Sequence, residues 1–290
     1  MQPKANLTAI AFMIAAMLGF AIEDAFIKAL MAHLVAGQVL ALIGLGGTLA
    51  FVVICWRCGI ALNLRMLANK WVLLRTFSEL IGTMFFVTSL ALVPLVTVSA
   101  IIQMAPLLVT MGAAFLLKEQ VGPRRWAAIV LGMIGMLIIL QPWTTSFAPA
   151  SLLTVGGVIG LSLRDIATRR IPDGVNTLSL ATLGFGAVIP AGLFLSLFNA
   201  PWAVPTPIEW AYLVLCVVIG IVSYYAIITA MRIGEVAVVT PFRYSRLIFG
   251  SAIEVMFFSE IITPQLIAGS LLIIATGLYT LWRERQLAQG

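Results

Sequence analysis

Residues 116–126 read Leu-Leu-Lys-Glu-Gln-Val-Gly-Pro-Arg-Arg-Trp, a short polar segment between two long apolar stretches. This segment contains a glutamate followed four positions later by a proline, Glu119 and Pro123, and the same motif recurs at Glu260 and Pro264. A shift of 141 residues superposes the two and aligns residues 75–123 with 216–264 without a gap. The chain therefore contains an internal repeat.

The composition indicates which solvent surrounds this chain. Hydrophobic residues make up 62% of its 290 residues, charged residues make up 10%, and the mean hydropathy is +1.11. A bilayer core needs about 20 apolar residues per helix, and ten such continuous runs are present, which excludes the alternating pattern of a membrane barrel. The runs lie near residues 8–28, 36–55, 71–90, 95–117, 126–142, 151–168, 177–199, 208–231, 236–258 and 264–282. We predict an all-α integral membrane protein with ten transmembrane helices.

The repeat and the helix count together predict the topology. Because each repeat holds five helices, the second must enter the membrane from the opposite side. We predict two inverted-topology five-helix repeats, over residues 1–145 and 146–290. Such inverted repeats are typical of secondary transporters that bind substrate near the bilayer midplane.

Lysine and arginine lie almost entirely on one side of the ten-helix arrangement, and the other side carries only Lys28. Cytoplasmic loops retain these residues, so we predict a multi-pass protein of the bacterial inner membrane with both termini in the cytoplasm. The formal net charge of +6 is then a topology signal, which indicates lipid headgroups rather than nucleic acid as a partner.

Charged side chains inside the apolar runs are the strongest indication of function. Inserting one at the centre of a membrane helix costs about 3 kcal/mol, so such a residue needs a reason to be there. We predict that Arg246, or its neighbour Arg243 on the same helix face, holds a substrate carboxylate through its planar guanidinium. A structural ion pair of Arg246 with Glu79 or Asp24 is the alternative. The full set is Glu23, Asp24, Glu79, Arg243, Arg246 and Glu254.

The carboxylates have alternatives of their own. Glu79 or Asp24 is predicted to hold a substrate ammonium, and Glu79 is the candidate proton carrier if transport is coupled to protons. Lys28 lies one turn beyond Asp24 and offers a local ion pair. Glu254, near the outer end of the ninth run, is expected to reach the headgroup layer.

Polar and aromatic residues in three runs are predicted to line the same site. Gln103 aligns with Tyr244 at the shift of 141, and Tyr224 and Tyr225 lie in the eighth run. A tyrosine inside a membrane needs a hydrogen-bond partner and offers a ring face to a ligand. Core packing is the alternative for each tyrosine taken singly.

Motifs for catalysis or cofactor binding are missing from the sequence. Cys55 and Cys58 form an isolated C-x-x-C, and the single histidine, His33, is predicted to lie on the opposite side of the membrane, whereas a structural zinc site needs four ligands. The buried polar set contains no nucleophile–base pair. We therefore expect no metal, no cofactor and no enzyme activity.

The chain resembles the EamA type of the drug/metabolite transporter superfamily. The resemblance rests on Ser89-Leu-Ala-Leu-Val-Pro94, Pro106, residues 116–126, Gly132 to Gly135, and the counterpart Phe258-Ser-Glu260 with Pro264 and Gly269. It covers essentially the whole chain. It implies two five-helix inverted repeats, a central cavity between the halves, and movement of small metabolites across the inner membrane.

Within this superfamily the chain is similar to aromatic amino-acid exporters, and we predict export of amino acids, including large neutral ones, by alternating access. Protons are a candidate coupling ion, and a monomer is a candidate functional state. The segments Asp24-x-x-x-Lys28 and Arg164-Asp165 with Arg169-Arg170 also resemble uptake carriers of S-adenosylmethionine. Uptake of that or another heterocyclic metabolite is therefore the alternative, and a non-transporting membrane protein is the third class.

Overall fold

The computed structural model is built from α-helices joined by short connections, as the apolar runs predict. It describes residues 3–62, 64–118, 121–145, 147–168, 170–172, 174–198, 200–233, 239–258 and 262–289. The helices are α1 (Pro3–Leu30), α2 (Ala36–Arg57), α3 (Lys70–Leu92), α4 (Leu95–Ile101), α5 (Ala105–Leu116), α6 (Pro123–Leu140), α7 (Ser151–Thr168), α8 (Thr177–Ser196), α9 (Pro207–Ile233), α10 (Ser245–Phe257) and α11 (Pro264–Gln289). Short 3₁₀ segments cover Leu64–Ala68, Ile102–Met104 and Thr240–Tyr244.

Helix lengths agree with membrane crossing. Within the described residues, eight helical spans are long and apolar enough to cross a bilayer, and Pro264–Thr280 is a shorter apolar helix. One of the eight, Leu95–Leu116, is α4 and α5 taken together. The prediction of an all-α membrane protein with ten helices in two repeats is confirmed.

The repeated proline has a local structural role that the sequence indicated. Pro123 and Pro264 are the first residues of α6 and α11. Proline suits this position because the first helical N–H needs no intrahelical partner and the ring already fixes a helical φ. Glu119 and Glu260, the other half of the motif, lie outside the described residues.

Two of the predicted helices contain a 3₁₀ turn. The fourth run is interrupted at Ile102–Met104, and the ninth contains the 3₁₀ turn Thr240–Tyr244 just before α10. Pro106 follows the first interruption and Pro241 lies in the second. A proline removes one backbone hydrogen bond and disturbs the preceding turn, so the break falls near it. Residues 234–238, the boundary of the ninth run, lie outside the described residues.

The helices form two compact units, each of which takes segments from both predicted repeats. Unit 1 comprises residues 1–25, 92–152 and 219–290. In it, small and apolar side chains of α1 pack against α9, and α6 lies so close to α11 that a Cβ on Gly269 would approach the backbone oxygen of Gly135 to 2.5 Å. Close approach through glycine is how membrane helices gain van der Waals contact.

Unit 2 comprises residues 26–91 and 153–218. Here α2 packs along α8, and a Cβ on Gly192 would meet the backbone oxygen of Gly37 at 2.5 Å. Similarly, α3 meets α7 where Gly82 faces Gly160. The predicted repeats, residues 1–145 and 146–290, therefore differ from the compact units, because each compact unit contains helices from both repeats.

Candidate functional site

The two interrupted helices touch each other within unit 1. The side-chain amide of Gln103, in the first 3₁₀ segment, donates to the backbone oxygen of Tyr244, in the second, at 3.4 Å. Both residues are buried. Interrupted helices expose backbone groups that regular helices would use internally, and in membrane transporters such groups border the binding site. The break points are therefore the first part of the candidate site.

An ion pair between Asp24 on α1 and Arg246 on α10 lies beside these breaks. The Arg246 guanidinium donates to Asp24 Oδ2, and the side chains of Arg246 and Asp24 are only 14% and 8% exposed. The guanidinium also lies 5.4 Å from the centre of the Phe20 ring, within range of a cation–π contact. Of the two partners offered by the sequence for Arg246, the structure selects Asp24.

Glu23, next to Asp24 in sequence, points toward α9. A Cβ on Gly220 would lie 2.8 Å from Glu23 Oε1, so the missing side chain of this glycine leaves the space that the carboxylate fills. One helix turn back, Gly19 of α1 packs in the same way against Ser223 of α9. Unit 1 thus places two carboxylates and one guanidinium on facing helices.

Tyr244 contributes a buried hydroxyl. Its side chain is 5% exposed and packs against Gly277 of α11. The hydroxyl has no hydrogen-bond partner among the described residues. Leaving a buried hydroxyl unsatisfied costs about 1–3 kcal/mol. This group is therefore a candidate to form a hydrogen bond with a polar ligand, or with another residue in a second conformation of the carrier.

Glu79 has a different set of partners, all in unit 2. Arg164 Nη1 lies 2.8 Å from Glu79 Oε1, and Arg75 Nη2 lies 3.7 Å from Glu79 Oε2. Arg164 also contacts Asp165 at 2.9 Å, and Arg75 donates to the backbone oxygen of Leu180 at 3.2 Å. Of the predicted pair of Arg246 with Glu79 or Asp24, the structure shows the one with Asp24, and Glu79 has arginine partners in its own unit.

The remaining predicted site residues differ in placement. Arg243 and Tyr224 are half-buried in unit 1, whereas Tyr225 is 63% exposed. Tyr225 continues a stripe along α9 with Val214, Val218 and Val222, which are 51–61% exposed. A stripe at this spacing is a face of a helix, and in a membrane it faces lipid. The structure therefore does not bring Tyr225 to the Asp24–Arg246 pair.

The expectation for Glu254 is wrong. Its side chain is fully buried, and Oε1 accepts a hydrogen bond of 2.9 Å from the backbone N–H of Leu95, the first residue of α4. A carboxylate at a helix N-terminus satisfies a free N–H and interacts favourably with the helix dipole. Because the residue comes from a distant helix, local sequence patterns do not reveal this cap.

Several contributing residues were missed by the sequence analysis. Arg75 lies four positions before Glu79, and this spacing is a readable signal for a pair on one helix face. Arg164 entered the sequence analysis only through a resemblance to S-adenosylmethionine carriers. Phe20 and Gly220 carry no signal of their own, because their importance depends on which helix they face.

Apolar helices with two matched interruptions and with ion pairs inside the membrane runs define a secondary membrane transporter. The chain belongs to the EamA-like transporter family, which matches residues 7–141 and again residues 148–282. The predicted resemblance to the drug/metabolite transporter superfamily is thereby confirmed. The family and its members' names indicate transporters rather than enzymes.

Relatives with named substrates are similar over most of the chain. A riboflavin transporter of Vibrio cholerae is 28% identical, with 79% of this chain and 80% of the relative covered. An S-adenosylmethionine uptake transporter of Rickettsia prowazekii is 25% identical, with 68% and 66% covered. A pseudopaline exporter of Pseudomonas aeruginosa is 23% identical, with 88% and 89% covered.

A solved structure covers 99% of this chain and 99% of its own, with a TM-score of 0.64 at 19% sequence identity. At this identity the likeness shows the fold alone.

The family match also extends the internal correspondence to the whole repeat. Both matched ranges begin and end 141 residues apart, so Glu23 corresponds to Arg164, Asp24 to Asp165, and Glu79 to Gly220. The Glu79–Arg164 ion pair in unit 2 and the Gly220–Glu23 contact in unit 1 therefore occupy matching positions of the two repeats. Their chemistry differs, so the repeats are similar in fold and unequal in charge.

Proposed function

We propose that this protein is a secondary transporter of a zwitterionic heterocyclic metabolite of the S-adenosylmethionine class, in a bacterial inner membrane. The observation that carries the proposal is the buried Asp24–Arg246 pair beside the two helix interruptions. A substrate with both a carboxylate and an ammonium can exchange partners with such a pair. Its carboxylate takes the place of Asp24 at Arg246, and its ammonium takes the place of Arg246 at Asp24. One of the relatives named above is an S-adenosylmethionine uptake transporter.

The roles of individual residues follow from their chemistry. Arg246 holds the carboxylate through its planar guanidinium, and Asp24 holds the ammonium. Gln103, Tyr244 and Phe20 provide an amide, a hydroxyl and a ring face for the heterocycle. Glu79, held by two arginines, is assigned to the structure of unit 2 instead of to substrate. Alternating access then moves the substrate across the membrane.

Export of aromatic or large neutral amino acids is the second candidate. The observation that favours it is the Phe20 ring, 5.4 Å from the Arg246 guanidinium. A carboxylate bound at Arg246 would place an amino-acid side chain beside that ring. Riboflavin, in contrast, is uncharged near neutral pH and makes no use of the ion pair.

The test is efflux from proteoliposomes that contain the purified protein and a mixture of S-adenosylmethionine, riboflavin, phenylalanine, tyrosine and leucine, read by mass spectrometry. Selective loss of S-adenosylmethionine is the expected result. Loss of the amino acids alone would favour the second candidate, and loss of riboflavin alone would contradict a role for the ion pair. A folded protein that releases nothing would contradict transport of these compounds.

A matched pair of variants links the flux to the site. Asp24→Asn should reduce the flux at least about tenfold, because it removes the carboxylate that Arg246 contacts and, with it, the ammonium ligand. Asp165→Asn is the same change at the corresponding position of the other repeat, where the side chain is 28% exposed, and should leave most of the flux. Equal losses in both variants would contradict the assignment of Asp24.

A further inference from the structure

The hydroxyl of Tyr244 lies in a notch on the surface of α11. The notch exists because residue 277 is a glycine. A Cβ at this position would overlap the Tyr244 hydroxyl and would lie 2.6 Å from the ring carbon that carries it. Every other residue type would therefore displace the phenol, and Gly277 provides the space in which the end of this side chain is held.

A comparison of the two repeats shows that the notch accompanies the tyrosine. In the first repeat, the position that matches Tyr244 is Gln103, and the position that matches Gly277 is Met136, each 141 residues earlier. The first repeat thus has an amide in place of the phenol and a long side chain in place of the glycine. The fold that both repeats share therefore does not require a tyrosine opposite a glycine.

Inside the notch, the polar end of Tyr244 is poorly satisfied. The residue is 5% exposed, and its hydroxyl has no hydrogen-bond partner among the described residues. A buried hydroxyl without an acceptor is less stable than one that has found an acceptor. A ligand that offers an acceptor only outside the notch therefore favours a second position of the side chain. Staggered χ1 rotamers lie about 120° apart, so one rotamer change carries the hydroxyl away from α11.

The backbone at this point is suited to such a change. Tyr244 is the last residue of the 3₁₀ turn Thr240–Tyr244, and α10 begins at the next residue. A 3₁₀ turn has poorer hydrogen-bond geometry than an α-helix, and inside a longer helical run it often marks a hinge. The Gln103 amide contacts the Tyr244 backbone oxygen at 3.4 Å, which is longer than most hydrogen bonds. Arg246 follows two residues later, so a movement of Tyr244 occurs beside the candidate site.

We propose that Tyr244 has two positions, one against Gly277 in the empty carrier and one turned toward the Asp24–Arg246 pair in the loaded carrier. This inference rests on the proposed function and deepens it. In the second position, the hydroxyl donates a hydrogen bond to a nitrogen or oxygen acceptor on the heterocycle of the substrate. Gly277 is then a positioning residue, because the affinity for substrate depends on how readily the phenol leaves the notch. Metabolites without such an acceptor leave the phenol in place and bind less tightly.

Gly277→Ala tests the notch. The added Cβ would meet the far end of a flexible side chain, so the phenol is displaced while α11 keeps its place. Because the hydroxyl is then already outside the notch, S-adenosylmethionine should bind the purified protein at least about threefold more tightly. The KM for efflux should fall, and the maximal rate should fall with it because release is slower. Unchanged or weaker binding by the folded variant would overturn the inference.

Two further variants separate the hydroxyl from helix packing. Gly269→Ala makes the same change two turns earlier on α11, where the Cβ would meet the backbone oxygen of Gly135, and it should not raise the affinity. Tyr244→Phe should bind S-adenosylmethionine about tenfold more weakly, and adding Gly277→Ala to it should give no gain, because the hydroxyl is missing. A threefold gain in that double variant would show that Gly277→Ala acts through packing, and would overturn the inference.

Fluorine NMR follows the side chain directly and does not require Gly277→Ala to fold. The chain has five tyrosines, which can be labelled as 3-fluorotyrosine, and Tyr244→Phe identifies the signal of Tyr244. In the wild-type protein in detergent, S-adenosylmethionine should shift this signal, and Gly277→Ala should show a shifted signal without substrate. A signal that stays in place while S-adenosylmethionine binds would overturn the inference and leave the proposed function intact. Absence of binding would contradict the proposed function, and the inference with it.

Discussion

Asp24 and Glu79 show how far single residues can be interpreted before a fold is known. Both are carboxylates in apolar runs, and the cost of burying them indicated that each faces a cavity or pairs with an opposite charge. Their pairing with Arg246 and Arg164 depends on the register between helices more than 80 residues apart in sequence. No local pattern contains that register, which is why both candidates for Arg246 stayed open until the structure selected one.

The buried hydroxyl of Tyr244 permits a prediction that separates stability from transport. Tyr244→Phe removes a group without a hydrogen-bond partner among the described residues, so the apparent unfolding temperature in detergent should stay the same or rise, by the equivalent of about 1 kcal/mol at most. If the hydroxyl binds the substrate, the transport rate should fall about tenfold. A clearly lower unfolding temperature would show that the hydroxyl has a structural partner.

Glu254 permits a graded test of its role as a helix cap. Glu254→Ala should destabilise the protein by about 1–2 kcal/mol, because it removes the acceptor for the Leu95 N–H and the favourable charge at the start of α4. Glu254→Gln keeps an acceptor oxygen and should lose less. The comparison is made by thermal unfolding in detergent, and equal losses in the two variants would contradict capping through the oxygen.

At the scale of elements, the sequence defined the helices well and their interruptions only in part. Apolar length is a direct consequence of bilayer thickness, so the existence of the helices was predictable. The breaks at Ile102–Met104 and Thr240–Tyr244 lie near Pro106 and Pro241, although the turn itself depends on packing between α4 and α10. Interior prolines do not always break a helix, since Pro190 lies inside α8.

Helix contacts through glycine can be tested in unit 2. A Cβ on Gly82 of α3 would lie 2.8 Å from the backbone nitrogen of Leu161 on α7. Because the obstacle is backbone, Gly82→Ala must separate the two helices, and we expect a loss of about 1–3 kcal/mol in thermal unfolding. Gly186→Ala on α8 is the control, since the nearest atom would be 3.9 Å away. Similar stability of the two variants would contradict close packing of α3 and α7.

At the scale of the whole molecule, the internal repeat was the most informative property of the sequence, and the family match supports it over nearly the full length. The compact units could not be predicted from it, because they are assembled from parts of both repeats. Periodicity and apolar length describe each helix separately, whereas the choice of neighbour follows from small residues such as Gly135 and Gly269 meeting across helices. The topology, with both termini in the cytoplasm, stays a proposal.

Cysteine labelling tests that topology. In a variant without the other native cysteines, Gln120→Cys and Phe147→Cys should react with a membrane-impermeant maleimide from opposite sides of the membrane, the first from the cytoplasm and the second from outside. Native Cys58 is exposed and, by the same topology, should react from the cytoplasm. Labelling of positions 120 and 147 from the same side would contradict the topology.

The contact between Gln103 and Tyr244 has a consequence for the history of the chain. The two residues occupy the same position in the first and in the second repeat, so at this contact one repeat touches the other at equivalent positions. In an ancestor that assembled from two identical half-length chains, a mutation at this position would have altered both sides of the contact at once. Duplication of its gene would uncouple the two copies. Only then would an amide on one side and a phenol on the other become possible, and the symmetric assembly would acquire an asymmetric interior.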